Sequence, residues 1–367
     1  MIILKYCAKK EVMKVAISAV DLFCGVGGLT CGLKKAGINV LAGIDLDGTC
    51  KYAYEYNNKA TFIEKSVSDV YADDINSFFE ADDIKILVGC APCQPFSKYT
   101  QRYRKEGHTD DKWKLLYEFG RLVEEVRPSI ISMENVPELE KESVFLDFVN
   151  ALKKLGYKVS YSVVYCPDYG VPQSRKRLVL LASMYGDISI IPPLYKPNKY
   201  RTVRQTIGRL AELKDGEVDV KDPIHCCSKL SELNMKRIKA SVPGGTWKDW
   251  SDDLKLDCHT KDTGKGYGAV YGRMEWDEPS PTITTQFFGY GNGRFGHPDQ
   301  NRALSFREGA MLQSFPAKYR FYKKGEKINK KELGIHIGNA VPVKLGEAIG
   351  ITIIQHLKKY VKEEMYD

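Results

Sequence analysis

Apolar residues come in short blocks through the first half of the chain. Val15–Phe23, Asn39–Ile44, Thr61–Lys65, Ile84–Val88, Ser129–Met133, Lys158–Tyr165 and Leu178–Ala182 read as strands. Between them, apolar positions recur at helical spacing. Leu29–Ala36 is one such helix, stopped by Gly37. A second spans 112–126, with Trp113, Leu116, Phe119, Leu122, Val123 and Val126 on one stripe, and Val144–Leu155 is a third. Ile349, Ile353, Ile354 and Leu357 predict a last helix within 337–358. Strands alternating with helices predict an α/β fold around an open sheet.

After Ser183 the texture changes. Ile191-Pro192-Pro193 and Lys196-Pro197-Asn198 read as a linker, and 198–275 is polar, basic and irregular, with Arg201, Arg204, Arg209, Lys236, Arg237, Lys239, Trp247 and Trp250. The change sets 1–184 apart from a smaller, irregular domain with its hinge over 185–332, which 333–367 follows. Residues 1–12 are expected to be an extension, because Met13-Lys14 offers a second start immediately before the first strand.

A length of 367 residues suits one large domain or two smaller ones, and 43% apolar residues excludes disordered and fibrous classes. No apolar run reaches the roughly 20 residues of a membrane span, and residues 1–14 lack the core of a signal peptide. A cytoplasmic protein is expected, or a nuclear one in a nucleated cell, with no membrane partner. The 10 cysteines form no disulfide framework, in keeping with a reducing compartment. The net charge of +8 permits a polyanionic partner without demanding one.

The stretch that carries most chemistry is Gly89-Cys90-Ala91-Pro92-Cys93-Gln94-Pro95-Phe96-Ser97, directly after a buried strand. Ligands of open α/β sheets collect past the carboxyl ends of the strands, and the two prolines stiffen the loop enough to aim one side chain. The thiol of Cys93 is the candidate. Cys90-Ala91-Pro92-Cys93 is also a Cys-x-x-Cys, so a redox pair competes with a nucleophile and with an inert buried cysteine. Zinc is disfavoured, since no second Cys-x-x-Cys exists and the spacing of His225-Cys226-Cys227 and Cys258-His259 matches no common zinc module.

Gly25-Val26-Gly27-Gly28 turns the first strand into its helix, and Asp45 ends the second strand. Glycines admit close approach of a nucleotide-like ligand, and a carboxylate there can accept ribose hydroxyls; alone, these features suit NAD and S-adenosylmethionine equally. Glu134 ends the strand at 129–133, where a half-buried carboxylate could be raised into the range of a proton donor. Arg175 and Arg177 alternate into the strand at 178–182 and are expected on one face beside it. Lys98–Asp111, basic with Tyr99 and Tyr103 interleaved, is either a solvated loop or a lid over substrate.

Five blocks stand together in order: Asp21–Gly28, Pro92–Ser97, Glu134-Asn135-Val136, Gln173–Arg177 and Gly338-Asn339-Ala340-Val341-Pro342. In this arrangement, which spans nearly the whole chain, the sequence resembles the DNA cytosine-5 methyltransferases of restriction-modification systems. The resemblance implies a Rossmann-like, S-adenosylmethionine-dependent large domain, catalytic and cofactor-binding, of 1–184 plus 333–367, and a small domain with its hinge over 185–332 that reads DNA. It implies Cys93 as nucleophile on C6 of a flipped-out cytosine, Glu134 as proton donor to N3, and Arg175 or Arg177, preferably Arg177, on O2. For S-adenosylmethionine it implies Phe23 beside the adenine, Gly25, Gly27 and Gly28 near the methionine end, and Asp45 on the ribose, with Leu46, Ser66, Val67, Pro92, Asn339 and Val341 completing the pocket. Ser66 departs from the family's usual Asp at the adenine amino group. Expected partners are double-stranded DNA and a cognate restriction endonuclease linked by function, with the enzyme monomeric and requiring no metal. A tRNA cytosine-5 methyltransferase of the same fold and a catalytically silent DNA-binding relative are the alternatives.

Overall fold

The structure, a computed structural model, describes residues 16–92, 114–260 and 268–363. The chain divides into two compact units: the described parts of Met1–Tyr165, Lys176–Pro193 and Val341–Asp367 form the first, and those of Cys166–Arg175 and Leu194–Ala340 the second. In chain order the elements are β1 (Ile17–Leu22), α1 (Gly28–Lys35), β2 (Asn39–Asp45), α2 (Lys51–Asn58), β3 (Thr61–Glu64), α3 (Ala72–Asn76), β4 (Ile84–Gly89), α4 (Lys114–Val126), β5 (Ile130–Asn135), α5 (Ser143–Lys154), β6 (Lys158–Tyr165), β7 (Gln173–Ser174) and β8 (Lys176–Ser183). They continue with α6 (Val203–Ile207), α7 (Glu232–Ala240), α8 (Asp257–Thr260), β9 (Ser280–Pro281), α9 (Phe306–Leu312), α10 (Lys330–Asn339) and α11 (Val343–Glu363).

The first unit is built on a seven-stranded sheet of order β3-β2-β1-β4-β5-β8-β6. The pairs from β3 to β5 are parallel, whereas β8 runs antiparallel to both β5 and β6. Chain order reverses between β1 and β4, so the crevice for a ligand opens past Leu22 and Gly89, which lie opposite each other. Because β8 is antiparallel, its beginning lies at the edge where β5 ends: Leu178 pairs with Asn135, and Arg177 stands one residue further out.

Alternation sorts each strand onto two faces. Val20, Leu22, Ala42, Ile44, Leu87, Met133 and Leu180 face a layer made by Phe119, Leu122 and Val123 of α4 and Phe145, Phe148 and Leu152 of α5. Each such side chain contributes roughly 1.5–3 kcal/mol by burial, which is what fixes α4 and α5 despite their polar outer faces. The opposite face carries Asp21, which is bonded to Thr30 of α1. There α1 packs on α11 so closely that a Cβ at Gly32 would stand 2.4 Å from the Val343 carbonyl oxygen. The tail is therefore two helices and not one, divided at Pro342, where a helical proline would have no N–H to donate.

The second unit has little regular structure. Its interior is pinned by buried arginines. Arg302, fully buried, holds Glu308 through two bonds of 2.8 and 2.7 Å. Arg273 donates to the carbonyls of Ile238, Ser241, His297 and Gln300 at 2.7–2.9 Å. His225, considered above as a metal ligand, has both ring nitrogens engaged, by Ser305 Oγ and by the Ala211 carbonyl at 2.8 Å each, and His259 stacks on Trp247 with centroids 4.3 Å apart.

The unit boundaries fall at Pro193 and Ala340, whereas the change of texture suggested 184 and 333. Residues 166–175 also join the second unit, because β7 pairs in parallel with β9, Gln173 opposite Ser280. This relocates Arg175. It lies between β7 and β8, not within a strand, so the expected shared face with Arg177 is absent.

Candidate active site

The ends of β1, β2, β3, β4 and β5 in the first unit supply the site. At the end of β1 the backbone turns through left-handed conformations at Phe23 (φ 57°), Gly25 (φ 49°) and Gly27 (φ 86°). Glycine adopts these freely, while at half-buried Phe23 the same conformation is strained, a feature that clusters at ligand sites. Gly27 caps α1, whose first residue is Gly28. At the end of β2 the Asp45 carboxylate accepts the backbone N–H of Gly25 at 2.8 Å on Oδ2 and that of Asp47 at 3.0 Å on Oδ1. Leu46 is 71% exposed beside it, and a Cβ built on Gly25 meets nothing within 4 Å. Open space at the turn, an apolar side chain left in solvent and a carboxylate fixed between them fit a nucleoside-bearing ligand.

Behind the turn, Asp21 is buried and its pKa is pushed up to about 7, chiefly by burial; the hydrogen bond from Thr30 opposes this and the Asp45 charge reinforces it. Thr30 Oγ1 donates to Asp21 Oδ2 at 2.6 Å and pairs with the Tyr54 hydroxyl at 3.1 Å. After β3, Ser66 caps a short 3-10 turn, accepting the Ser68 N–H at 3.3 Å, and Val67 is buried in the core. Val341 opens the last segment of this unit and is buried.

The second half of the site lies past β4 and β5. Glu134 is only 2% exposed, deeper than the half-buried position expected. Its Oε1 lies 2.8 Å from Arg177 Nε, an ion pair in which the N–H is not aimed along the contact, and its Oε2 accepts the Cys90 thiol at 2.9 Å. Burial raises the Glu134 carboxyl above the ordinary range, with Arg177 and the Cys90 bond pulling it partly back. A carboxyl raised by burial holds a proton more readily than an exposed one, and the neighbouring cation and thiol favour its release. Asn135 next to it donates from Nδ2 to the Ala91 carbonyl at 3.0 Å and accepts the Val136 N–H at 2.9 Å, so β5 holds the start of the Pro92 loop. Pro92 is half-buried; Cys93 and the 98–111 stretch lie outside the described residues.

In the second unit, Arg175 is buried and donates to the Ile283 carbonyl at 3.0 Å and to Gln173 Oε1 at 3.3 Å. Asn339, exposed, ends α10. Gln313 steadies that end by donating to the Ile337 carbonyl at 2.8 Å. Sequence reasoning missed Cys90 as a partner of Glu134, having weighed it only as half of a redox pair. It also passed over Asp21 and the side chain of Asn135, whose signal was their place within motif blocks.

A model of the C-5 cytosine-specific DNA methylase family matches residues 17–355. The chain is 54% identical over 344 residues to the type II methylase M.HgiDII of Herpetosiphon aurantiacus, covering 93% of this chain and 96% of that one. It is 30% identical over 347 residues to the type II methyltransferase M.Sau96I of Staphylococcus aureus, covering 93% and 76%. Among solved structures, an E. coli prophage-encoded protein described as a DNA modification methyltransferase has the same fold, with a TM-score of 0.72 at 22% identity over 94% of this chain and 100% of that one.

Proposed function

This chain belongs to the C-5 cytosine-specific DNA methylase family, and from that premise we propose that it methylates C5 of a cytosine rotated out of duplex DNA, through a transient bond between Cys93 and C6. The observation that carries the reading is the buried Glu134 carboxyl, raised by burial and braced by Arg177, at the end of the strand beside the Pro92 loop.

Cytosine C5 is too weak a nucleophile to be alkylated unaided, which is why covalent catalysis is invoked. The Cys93 thiolate adds to C6, and neutral Glu134 gives its proton to N3 while accepting from the exocyclic amine. Negative charge then does not build on the ring, and C5 becomes enamine-like. Arg177 holds O2 and fixes the carboxyl; Arg175 is the second candidate for that oxygen. S-adenosylmethionine, when bound, supplies the methyl group that C5 accepts. Phe23, Gly25, Gly27, Gly28, Asp45, Leu46, Ser66, Val67, Pro92, Asn339 and Val341 would hold it. The C5 proton then passes to water, the C6–S bond breaks to release Cys93 as thiolate, and N3 returns its proton to the Glu134 carboxylate, which restores the aromatic ring.

A stacked base offers no path for attack on its face, so extrusion is required, at about a few kcal/mol. Phosphate contacts by the 98–111 stretch and the second unit would offset that, and binding should weaken with salt. The type II relatives support a restriction-modification role on DNA; duplex DNA as substrate, a functionally linked endonuclease, a monomeric enzyme and a cytoplasmic setting are part of the same proposal. Incubation with tritiated methyl donor and either duplex DNA or tRNA tests the substrate: label in DNA is expected, and label in tRNA alone would reject it. A Cys93→Ser variant should bind DNA without transferring methyl groups.

A further inference from the structure

Two side chains of unlike character meet Glu134. Arg177 approaches Oε1 from β8, and Cys90 approaches Oε2 from the residue after β4; among the described residues these are the charged or titratable groups that face it. We infer that Cys90 is a positioning residue for the methyl transfer proposed above, on which this inference rests: its thiol selects Oε2 as the proton-bearing oxygen of Glu134 and keeps that oxygen in place whether or not the proton is there.

Donors and acceptors around the carboxyl decide which oxygen holds the proton. A guanidinium carries positive charge and no acceptor, so Oε1, 2.8 Å from Arg177 Nε, is the oxygen on which negative charge is best held. The proton is left with Oε2. A thiol both donates and accepts weakly. Toward the ionised carboxylate the Cys90 S–H donates across 2.9 Å, and toward the neutral acid the sulfur can accept from Oε2–H. A backbone N–H or a second cation in that position would lose its bond each time the carboxyl was protonated. No covalent bond changes at Cys90 in the cycle. The proton passes from Oε2 to N3 of cytosine, and the S–H rotates back onto the carboxylate.

The thiol is placed from two directions. The Cys90 N–H reaches the Leu22 carbonyl of β1 at 3.4 Å, and the next residue, Ala91, is tied by its carbonyl to Asn135, the neighbour of Glu134. Burial raises the Glu134 carboxyl while the Cys90 bond opposes that rise, which gives the thiol a measurable lever on the pH dependence.

The test compares kcat and KM for a duplex oligonucleotide across pH in the parent enzyme, Cys90→Ala, Cys90→Ser and Glu134→Gln. If transfer uses the neutral acid, kcat falls as Glu134 ionises, giving an alkaline limb. Cys90→Ala removes a donor to the carboxylate, so its limb moves to higher pH, while its maximal kcat drops roughly 2- to 12-fold, the range for one hydrogen bond. KM for DNA should hold. Cys90→Ser offers a stronger donor that also accepts, so its limb moves to lower pH and its kcat exceeds that of the alanine variant. Coincident limbs, or alanine and serine variants alike, would overturn the inference. Should Cys90→Ala fail to fold, the serine variant decides alone: a lowered limb supports the role and an unmoved one rejects it. Glu134→Gln separates the layers. If it keeps parental activity, the acid role itself is wrong. If it is inactive while the Cys90 limbs coincide, the inference about Cys90 fails and the proposed function stands.

Discussion

Asp21 offers the sharpest quantitative test of the electrostatics behind the glycine turn. The carboxyl is 1% exposed and its pKa rises from 3.8 to about 7. A buried acid raised in this way makes the fold most stable below its unfolded value, and stability is lost as pH climbs from 3.8 toward 7. The whole span is about three units, or about 4 kcal/mol at 1.36 kcal/mol per unit. Between pH 5 and pH 8 the remaining part of that loss is about 2–3 kcal/mol. Asp21→Asn has nothing to ionise. Its side-chain carbonyl can still accept the Thr30 hydroxyl, but its amide brings two N–H donors where the protonated acid has one O–H, a fixed cost of about 1–3 kcal/mol. The variant should therefore be less stable than or equal to the parent at pH 5, and gain about 2–3 kcal/mol on it by pH 8. Urea unfolding followed by far-ultraviolet circular dichroism at several pH values measures this. A stability difference that stays flat from pH 5 to pH 8 would refute the burial argument for Asp21.

Three further outcomes follow from the contacts described. Asn135→Ala should lower kcat and cost about 1–3 kcal/mol in the urea midpoint, because the Ala91 carbonyl and the Val136 N–H both lose a partner. Arg177→Lys keeps the charge but not the planar fork, and kcat/KM should fall roughly 10- to 100-fold; activity within about twofold of the parent would remove Arg177 from the mechanism. Glu308→Gln strands the buried Arg302 and should destabilise the second unit by about 3–5 kcal/mol, read from the fluorescence of Trp247, Trp250 and Trp276. Burial alone would raise Glu308, but the bonds and charge of Arg302 hold it below its ordinary value, so that stabilisation is present above the unfolded pKa and fades as pH falls. Parent and variant should converge in acid.

The first unit was largely legible because its chemistry sits where hydrophobic pattern is strongest. β1, β2, β4 and β5 are short runs buried in the sheet, and Phe23, Asp45 and Glu134 fall at or just past their ends. Knowing the strands was therefore nearly the same as knowing the edge of the site. Helix α2 was missed because Lys-Tyr-Ala-Tyr-Glu-Tyr-Asn-Asn carries no apolar stripe; only Ala53, Tyr54 and Asn58 are buried. The second unit was illegible for a related reason. Arg273 and Arg302 organise it by reaching carbonyls and a carboxylate distant in sequence, and a buried arginine looks like a surface one in a composition profile. Arg175 was misplaced because the strand was extended backward past Lys176, whereas the pairing of Gln173 with Ser280 draws that segment into the other unit. Cys90 escaped notice as a carboxyl partner because a sequence shows spacing along the chain, and its contact with Glu134 spans 44 residues.

The central claim is a covalent bond between Cys93 and C6 of an extruded cytosine. Duplex oligonucleotides carrying 5-fluorocytosine at the methylated position test it most directly, since fluorine in place of the C5 hydrogen blocks the elimination that frees the enzyme. With S-adenosylmethionine present, the account predicts a protein–DNA adduct that survives denaturing electrophoresis and is absent in Cys93→Ser. An enzyme that methylates ordinary duplex DNA yet is never trapped, or a Cys93→Ser variant that is trapped as readily as the parent, would contradict it.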